Sequence, residues 1–82
     1  MKTVAIYPGS FDPPTLGHLS VIRRSARIFD EVIILIAIHP TKESWYSPEE
    51  RAQMVQEIVA EMENVKVEIA KHAIAGVVAK KA

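Results

Sequence analysis

Short apolar runs that end at turn residues predict the strands of a sheet. Residues 4–7 form one such run, closed by Pro8 and Gly9, and residues 32–38 form a seven-residue run with four isoleucines. Both are typical of strands buried on both faces, and the second is too short for a buried helix. Residues 65–69 alternate between apolar and charged positions. This alternation predicts an edge strand with one solvated face.

Apolar residues spaced by three and four positions predict helices between these strands. The first helix is expected over about 16–28, with Thr15 as its N-cap. The second is expected from Pro48 to about residue 61, because Ser47 and Glu50 form a capping box around a proline at the first helical position. The side chains expected to face inward are Leu19, Ile22, Ala26, Phe29, Met54, Val55, Ile58, Val59 and Met62.

The last ten residues carry a weaker helical pattern. Ile74, Val77 and Val78 have helical spacing, and Gly76 weakens it, so we expect a third helix over 73–82. The predicted order is therefore β-α-β-α-β-α. Such alternation indicates a three-stranded parallel sheet with right-handed crossovers in an α/β domain, which we expect to span residues 1–82.

Composition and charge narrow the possible functions. The 82 residues include no cysteine, and ten basic residues balance ten acidic ones. Disulfides and thiolate metal sites are excluded, and the chain lacks the basic excess of a general nucleic-acid surface. No apolar run is long enough for a membrane span, so we expect a cytoplasmic protein. Because a domain of this size has a marginal core, ligand binding or self-association is expected to support it.

The loop after the first predicted strand has the composition of an anion site. Gly9 would let the backbone approach a ligand, and Ser10 offers a hydroxyl group. Gly17 and His18 fall in the first turn of the following helix, where free N–H groups and the helix dipole favour anions. His18 can donate a hydrogen bond to a phosphate oxygen. The alternative is that His18 only caps the helix.

The loop after the second predicted strand offers weaker signals. Lys42 could reach over the strand ends toward a phosphate, although a single loop lysine usually faces solvent. Trp45 and Tyr46 could cover a ring, but an aromatic pair before a helix more often forms a hydrophobic staple. His39 and His72 receive no role.

Together the two loops resemble one family. Residues 7–13, read as Tyr-Pro-Gly-Ser-Phe-Asp-Pro, and the pair Gly17-His18 resemble the signature of HIGH-type nucleotidylyltransferases. The resemblance to phosphopantetheine adenylyltransferases extends, without gaps, from residue 3 to about 69. It includes residues 29–32, 40–42 and 47–51. It implies half of a Rossmann-like nucleotidylyltransferase fold with strand order 3-2-1. Nicotinate-mononucleotide adenylyltransferases share part of the motif and are the rival family.

The resemblance implies a reaction and roles for particular residues. The family transfers adenylyl from ATP to 4′-phosphopantetheine in coenzyme A biosynthesis, with magnesium, and releases pyrophosphate. By resemblance, Ser10 and Lys42 bind the acceptor phosphate and the α-phosphate, and His18 stabilises the transition state. The nucleotide-binding residues implied are Gly9, Ser10, Phe11, Gly17 and His18. No protein side chain is expected to bind the metal.

The chain also departs from the family pattern. Members are about twice as long, and the resemblance fades after residue 69. We therefore expect ATP binding with weak or no transfer activity. The alternative is a structural module, natural or engineered, that self-associates without catalysis. In the family's sheet the first strand lies in the middle. Here its edge would be exposed, and we expect a homodimer formed through that edge.

Overall fold

A computed structural model of the chain describes residues 1–38 and 44–70. The elements follow the predicted order: β1 (Val4–Gly9), α1 (Leu16–Ile28), β2 (Glu31–Ile36), α2 (Pro48–Ile58) and β3 (Val65–Ile69). The predicted bounds of α1 and β3 are confirmed. The third helix predicted over 73–82 lies outside the described residues. Within those residues, neither helix is long and apolar enough to cross a bilayer.

Three elements have bounds that differ from the prediction, and β2 begins one residue early, at Glu31. β1 continues through Pro8 and Gly9, which pair with Leu35 and Ile36 of β2. β2 ends at Ile36, two residues before the apolar run does. α2 ends at Ile58 instead of about residue 61. Pro8 is tolerated because, among the described strands, β1 has a neighbour on one side only.

The sheet is parallel and its strands lie in the order β1-β2-β3, which confirms the predicted order 3-2-1. The ladder continues beyond the strands, because Ala37 N–H donates to the Gly9 carbonyl at 2.8 Å and Ala70 N–H donates to the Ile36 carbonyl at 2.9 Å. The chain therefore leaves β2 with its backbone still paired. The loops that follow start from fixed points.

Both helices pack on the same face of β2. The side chains that form this core come from α1, α2, β2 and the loop after β1: Phe11, Ile22, Val32, Ile34, Ile36, Ala52, Val55 and Val59. In β2, residues Val32 to Ile36 are buried on both faces, as the unbroken apolar run predicted. A central parallel strand has this composition because it has no solvated face.

The burial predicted for β1 is wrong. Val4 is 45% exposed, and Ala5, Ile6 and Tyr7 are only half-buried. The reason is position in the sheet, because β1 lies at an edge among the described strands. Its sequence is that of an interior strand, and its surroundings are those of an outer one.

Two of the predicted inward positions on the helices are also wrong. Phe29 is 36% exposed because α1 ends at Ile28 and Phe29 is already extended. Ile58 is 39% exposed as the last residue of α2, whereas Val55 and Val59 beside it are buried. Helical spacing identifies the face of a helix that packs on the core, but it overestimates the burial of residues at the C-terminal end of the helix.

The edge of the sheet where the strands begin is held by polar contacts. The Asp30 carboxylate accepts from the Thr3 backbone N–H at 2.7 Å and from the Thr3 hydroxyl at 3.1 Å, and these bonds hold the pKa of Asp30 below its ordinary value. Glu31 pairs with Lys66 at 3.1 Å and Lys2 at 3.2 Å, and both lower its pKa. These groups are far from the strand ends where a ligand is expected, so their role is structural.

At the opposite edge of the sheet, where the strands end, a buried arginine joins three segments of the chain. The Arg51 side chain is 2% exposed, and its Nη1 donates to the Ser10 carbonyl at 2.7 Å and to the Ala37 carbonyl at 2.9 Å. Its Nε donates to the Ser47 carbonyl at 3.4 Å. Arg51 thereby ties the loop after β1, the end of β2 and the N-cap of α2 together. In the sequence, Arg51 is part of the family motif, and no local pattern indicates this role.

Replacing Arg51 by methionine is expected to lower the free energy of unfolding by about 3 kcal/mol, because the Ser10 and Ala37 carbonyls lose charged donors and stay buried. Urea denaturation measures this change. The control is Arg24→Met, which removes an exposed arginine from α1 and should change the stability by less than about 0.5 kcal/mol. A loss below about 1 kcal/mol in Arg51→Met would contradict the bridging role.

Candidate active site

The predicted site residues that the structure describes lie where β1 ends and α1 begins. Gly9 is the last residue of β1, and Gly17 and His18 lie in the first turn of α1. The loop after β2 returns to the same edge of the sheet, since Trp45 and Tyr46 contact Asp12. In parallel α/β sheets, ligands bind outside these carboxyl ends of the strands.

Phe11 shapes the loop from inside. Its side chain is 1% exposed, and its backbone has a φ of 51°, in the left-handed region. A Cβ added at Gly9 would lie 2.9 Å from Cε2 of the Phe11 ring. The packing of Phe11 is therefore enough to require a glycine at position 9, and the predicted approach of a ligand to the Gly9 backbone stays a prediction. The buried ring supports the loop, and contact of Phe11 with a nucleotide through its backbone stays a prediction.

The Phe11 ring also supports His18. The two ring centroids are 4.7 Å apart with a tilt of 55°, and Tyr7 packs edge-on against Phe11 at 5.3 Å. Tyr7 and His18 are 6.3 Å apart. The imidazole therefore lies beside an aromatic pair that fixes one side of its ring.

Hydrogen bonds fix the tautomer of His18. The Thr15 backbone N–H donates to Nδ1 at 2.9 Å, and the Thr15 hydroxyl lies 3.2 Å from the same nitrogen. In return, the His18 N–H donates to the Thr15 hydroxyl oxygen at 3.3 Å, which completes a capping box. A backbone N–H can only donate, so Nδ1 is an acceptor and the proton lies on Nε2.

This arrangement unites the two interpretations that the sequence left open. Capping the helix uses Nδ1 of His18, and the proton on Nε2 can be donated to a ligand. Moreover, the first turn of α1 contains no acidic side chain that would repel an anion. The first backbone N–H groups of a helix and its dipole attract phosphate.

Gly17 differs from Gly9 in what surrounds it. A Cβ added at Gly17 would meet only the Thr15 hydroxyl oxygen, at an ordinary 3.5 Å. The packing of the described chain therefore does not require a glycine at this position. Among residues 1–38 and 44–70, Gly17 is exposed at the start of α1.

The second loop is only partly described. Lys42 and His39 lie outside the described residues, so the structure does not place Lys42 relative to Ser10 or His18. The Ser10 main chain is fixed through its carbonyl, which accepts from Arg51. The predicted role of Ser10 in phosphate binding stays a prediction.

Asp12 joins the two loops, a role that its place in the sequence motif does not indicate. Its carboxylate accepts from the Trp45 N–H at 2.7 Å and from the Tyr46 N–H at 2.8 Å. An aspartate in a loop rich in prolines and glycines is typical of such backbone capping. Because its partners are 33 and 34 residues away in sequence, no local pattern could identify them.

Of the two alternatives left open for the pair Trp45 and Tyr46, a hydrophobic staple does not form at Trp45. The indole is 88% exposed, whereas a staple requires packing against the following helix. Tyr46 directly precedes the N-cap and is 38% exposed. The capping box of Ser47 and Glu50 is confirmed, with both hydrogen bonds at 3.1 Å.

Comparison with known proteins agrees with the motif. Residues 6–79 match the model of the cytidylyltransferase-like family. A phosphopantetheine adenylyltransferase of Clostridium novyi is 48% identical over 65 residues, which cover 79% of this chain and 40% of the relative. One of Zymomonas mobilis is 54% identical over 63 residues, covering 77% of this chain and 35% of the relative. The chain thus spans well under half of the length of these curated relatives.

A solved structure shares the fold. The crystal structure of a NadR protein in complex with NAD and AMP-PNP superposes with a TM-score of 0.74 and 24% identity, covering 93% of this chain and 24% of that one. This likeness confirms the α/β fold that the resemblance implied. With most of its length matched by the family model, the chain belongs to the cytidylyltransferase-like family of nucleotidyltransferases.

Proposed function

We propose that the chain is the nucleotide-binding half of a phosphopantetheine adenylyltransferase and binds the phosphates of ATP where α1 begins. The observation that carries the proposal is the hydrogen bond from the Thr15 N–H to Nδ1 of His18, which leaves Nε2–H for a phosphate oxygen. The open surface at Gly17 and the absence of acidic residues from the first turn of α1 support it. The curated relatives bear the name of this activity.

The reaction needs positioning more than covalent chemistry from the protein. An oxygen of the acceptor phosphate attacks the α-phosphorus of ATP, a new P–O bond forms, and the bond to the leaving pyrophosphate breaks. No protein nucleophile takes part. Nε2–H of His18 donates to an oxygen of the phosphoryl group as its charge rises, and Ser10 and Lys42 hold the acceptor and the α-phosphate.

Magnesium would enter as part of the substrate. Within residues 1–38 and 44–70, no three His, Asp or Glu side chains come together as a metal site. Mg²⁺ commonly keeps several waters and binds through substrate phosphates. The chain is therefore expected to recognise Mg-ATP as one unit. By resemblance to the family, the acceptor would be 4′-phosphopantetheine and the location the cytoplasm.

Full turnover is not expected from these residues alone. These residues correspond to 40% of the Clostridium novyi relative, and the proposed site includes only the donors that they contain. Each donor that stabilises transition-state charge contributes roughly 3–4 kcal/mol. Binding without rapid transfer is the expected behaviour.

Calorimetric titration with Mg-ATP tests the proposal. We expect saturable heat from the wild type and an affinity lower by about tenfold or more in His18→Ala, since a hydrogen bond to a charged group contributes about 1.5–3 kcal/mol. The matched control is Ile28→Ala, an exposed position at the other end of α1, which should bind like the wild type. Circular dichroism checks the fold of each variant. No heat from folded wild type would favour the structural module without catalysis.

Gly17→Ala separates the needs of the fold from those of the ligand. Its Cβ fits the chain at 3.5 Å from the nearest atom, so the free energy of unfolding should stay the same or rise by about 0.4–1 kcal/mol. Mg-ATP affinity should fall, because the added methyl group occupies the surface offered to the phosphates. The two effects are measured by urea denaturation and calorimetry. Unchanged affinity would show that the nucleotide does not approach Gly17.

We also propose that two copies associate through the edge of β1. Among the described strands, β1 pairs only with β2, and Val4 on it is 45% exposed. A strand edge with an interior-type sequence recruits another strand. Light scattering should find a dimer at micromolar concentration. Val4→Lys should shift the protein toward monomer, because a charge at an edge opposes pairing, whereas Ile28→Lys on α1 should not. A wild-type monomer would sink this proposal.

A further inference from the structure

Trp45 combines two properties that rarely occur together. Its indole is 88% exposed, the largest exposure among the large hydrophobic residues of the described chain after the N-terminal Met1. Its backbone, however, is held by two hydrogen bonds: its own N–H and that of Tyr46 donate to the Asp12 carboxylate. An exposed indole on a fixed backbone is therefore presented to solvent in one place.

The neighbouring contacts leave this backbone little freedom. Ser47 follows directly and is held by its capping box with Glu50 and by Arg51, which donates to its carbonyl. Asp12 lies in the same loop as Phe11, whose ring contacts His18. Trp45 is thus attached, through Asp12, to the loop that leads into the phosphate-binding end of α1.

We propose that Trp45 is a binding residue of this site and that its indole packs on the organic part of a substrate whose phosphate binds at the start of α1. The proposal rests on the proposed function, because it requires a phosphate-bearing ligand at this edge of the sheet. An indole face packs well against a planar base or an apolar arm, and its rigid side chain loses little freedom on binding. The shared chemistry is a phosphate ester with an organic group large enough to cover an aromatic ring.

Asp12 has a positioning role in this picture. Its two carboxylate oxygens each accept one backbone N–H, so the carboxylate orients the residue that carries the indole without contacting the ligand itself. Asparagine keeps only one accepting oxygen on its side chain. Asp12→Asn should therefore loosen Trp45 while the chemical character of the indole stays unchanged.

Trp45 is also its own reporter, because the chain contains one tryptophan. The experiment titrates the whole chain with Mg-ATP, 4′-phosphopantetheine and magnesium tripolyphosphate, and follows indole fluorescence and heat. The tripolyphosphate carries phosphate charge without an organic group. The variants are Trp45→Ala, Trp45→Phe and Asp12→Asn, with Ile28→Ala as the control for loss of another exposed apolar side chain.

We expect a saturable fluorescence change with at least one organic ligand and roughly five- to tenfold weaker binding of that ligand to Trp45→Ala. Trp45→Phe should recover most of the affinity, and tripolyphosphate should bind to Trp45→Ala and wild type alike. Asp12→Asn should reduce the fluorescence response. The ligand that responds identifies the source of the organic group, either the base of the nucleotide or the arm of the acceptor.

The outcomes separate this proposal from the proposed function. If an organic ligand binds in a His18-dependent manner and Trp45→Ala binds it within twofold of wild type, the role of Trp45 is overturned and nucleotide binding stands. If no phosphate ligand binds, both fall. If the fluorescence instead changes with protein concentration and not with ligand, Trp45 contacts a second copy, and its assignment to the substrate is wrong.

Discussion

The carboxyl-terminal ends of β1 and β2, where the candidate site lies, depend on the hydrogen bonds of the Arg51 guanidinium. Three separate segments end there with carbonyl groups pointing inward, at Ser10, Ala37 and Ser47. A buried carbonyl without a donor is costly, and one planar cation supplies donors to all three. The start of α2 is thereby fixed relative to the ends of β1 and β2. Both loops leave the sheet from defined positions, and everything proposed about ligand binding builds on those positions.

Asp12 and Arg51 hold the same pair of loops with opposite charges: the carboxylate accepts from backbone N–H groups, and the guanidinium donates to backbone carbonyls. Arg51 gathers carbonyl oxygens under the loops, where it is 2% exposed, and Asp12 gathers N–H groups of Trp45 and Tyr46. Each is a charged side chain bonded to backbone, so neither needs a charged partner among these contacts. Such bonds hold a loop by its main chain and leave its side chains available. This explains how the Trp45 indole can be exposed to solvent while its backbone is fixed.

What could be predicted from the sequence is what depends on neighbours in sequence. The buried run of β2, the caps at Thr15 and Ser47, and the parallel direction of the strands follow from local spacing and composition, whereas the strand order came from the family resemblance. The bridge from Arg51 to Ser10 spans 41 residues and joins a side chain to a carbonyl that every residue possesses. No residue pattern encodes such a partner. The exposure of β1 was missed for a related reason, since its composition does not reveal how many strands flank it.

The two glycines of the motif show why a candidate site cannot be assigned from residue types alone. Both suggest close approach of a ligand, yet the space beside Gly9 is filled by Phe11, at 2.9 Å from an added Cβ, and the space beside Gly17 is open. His18 divides in the same way between its two nitrogens, one committed to the helix and one carrying a proton. In each pair the fold uses one member to build the loop. The other member, the open side of Gly17 or Nε2 of His18, is available to the ligand that we propose.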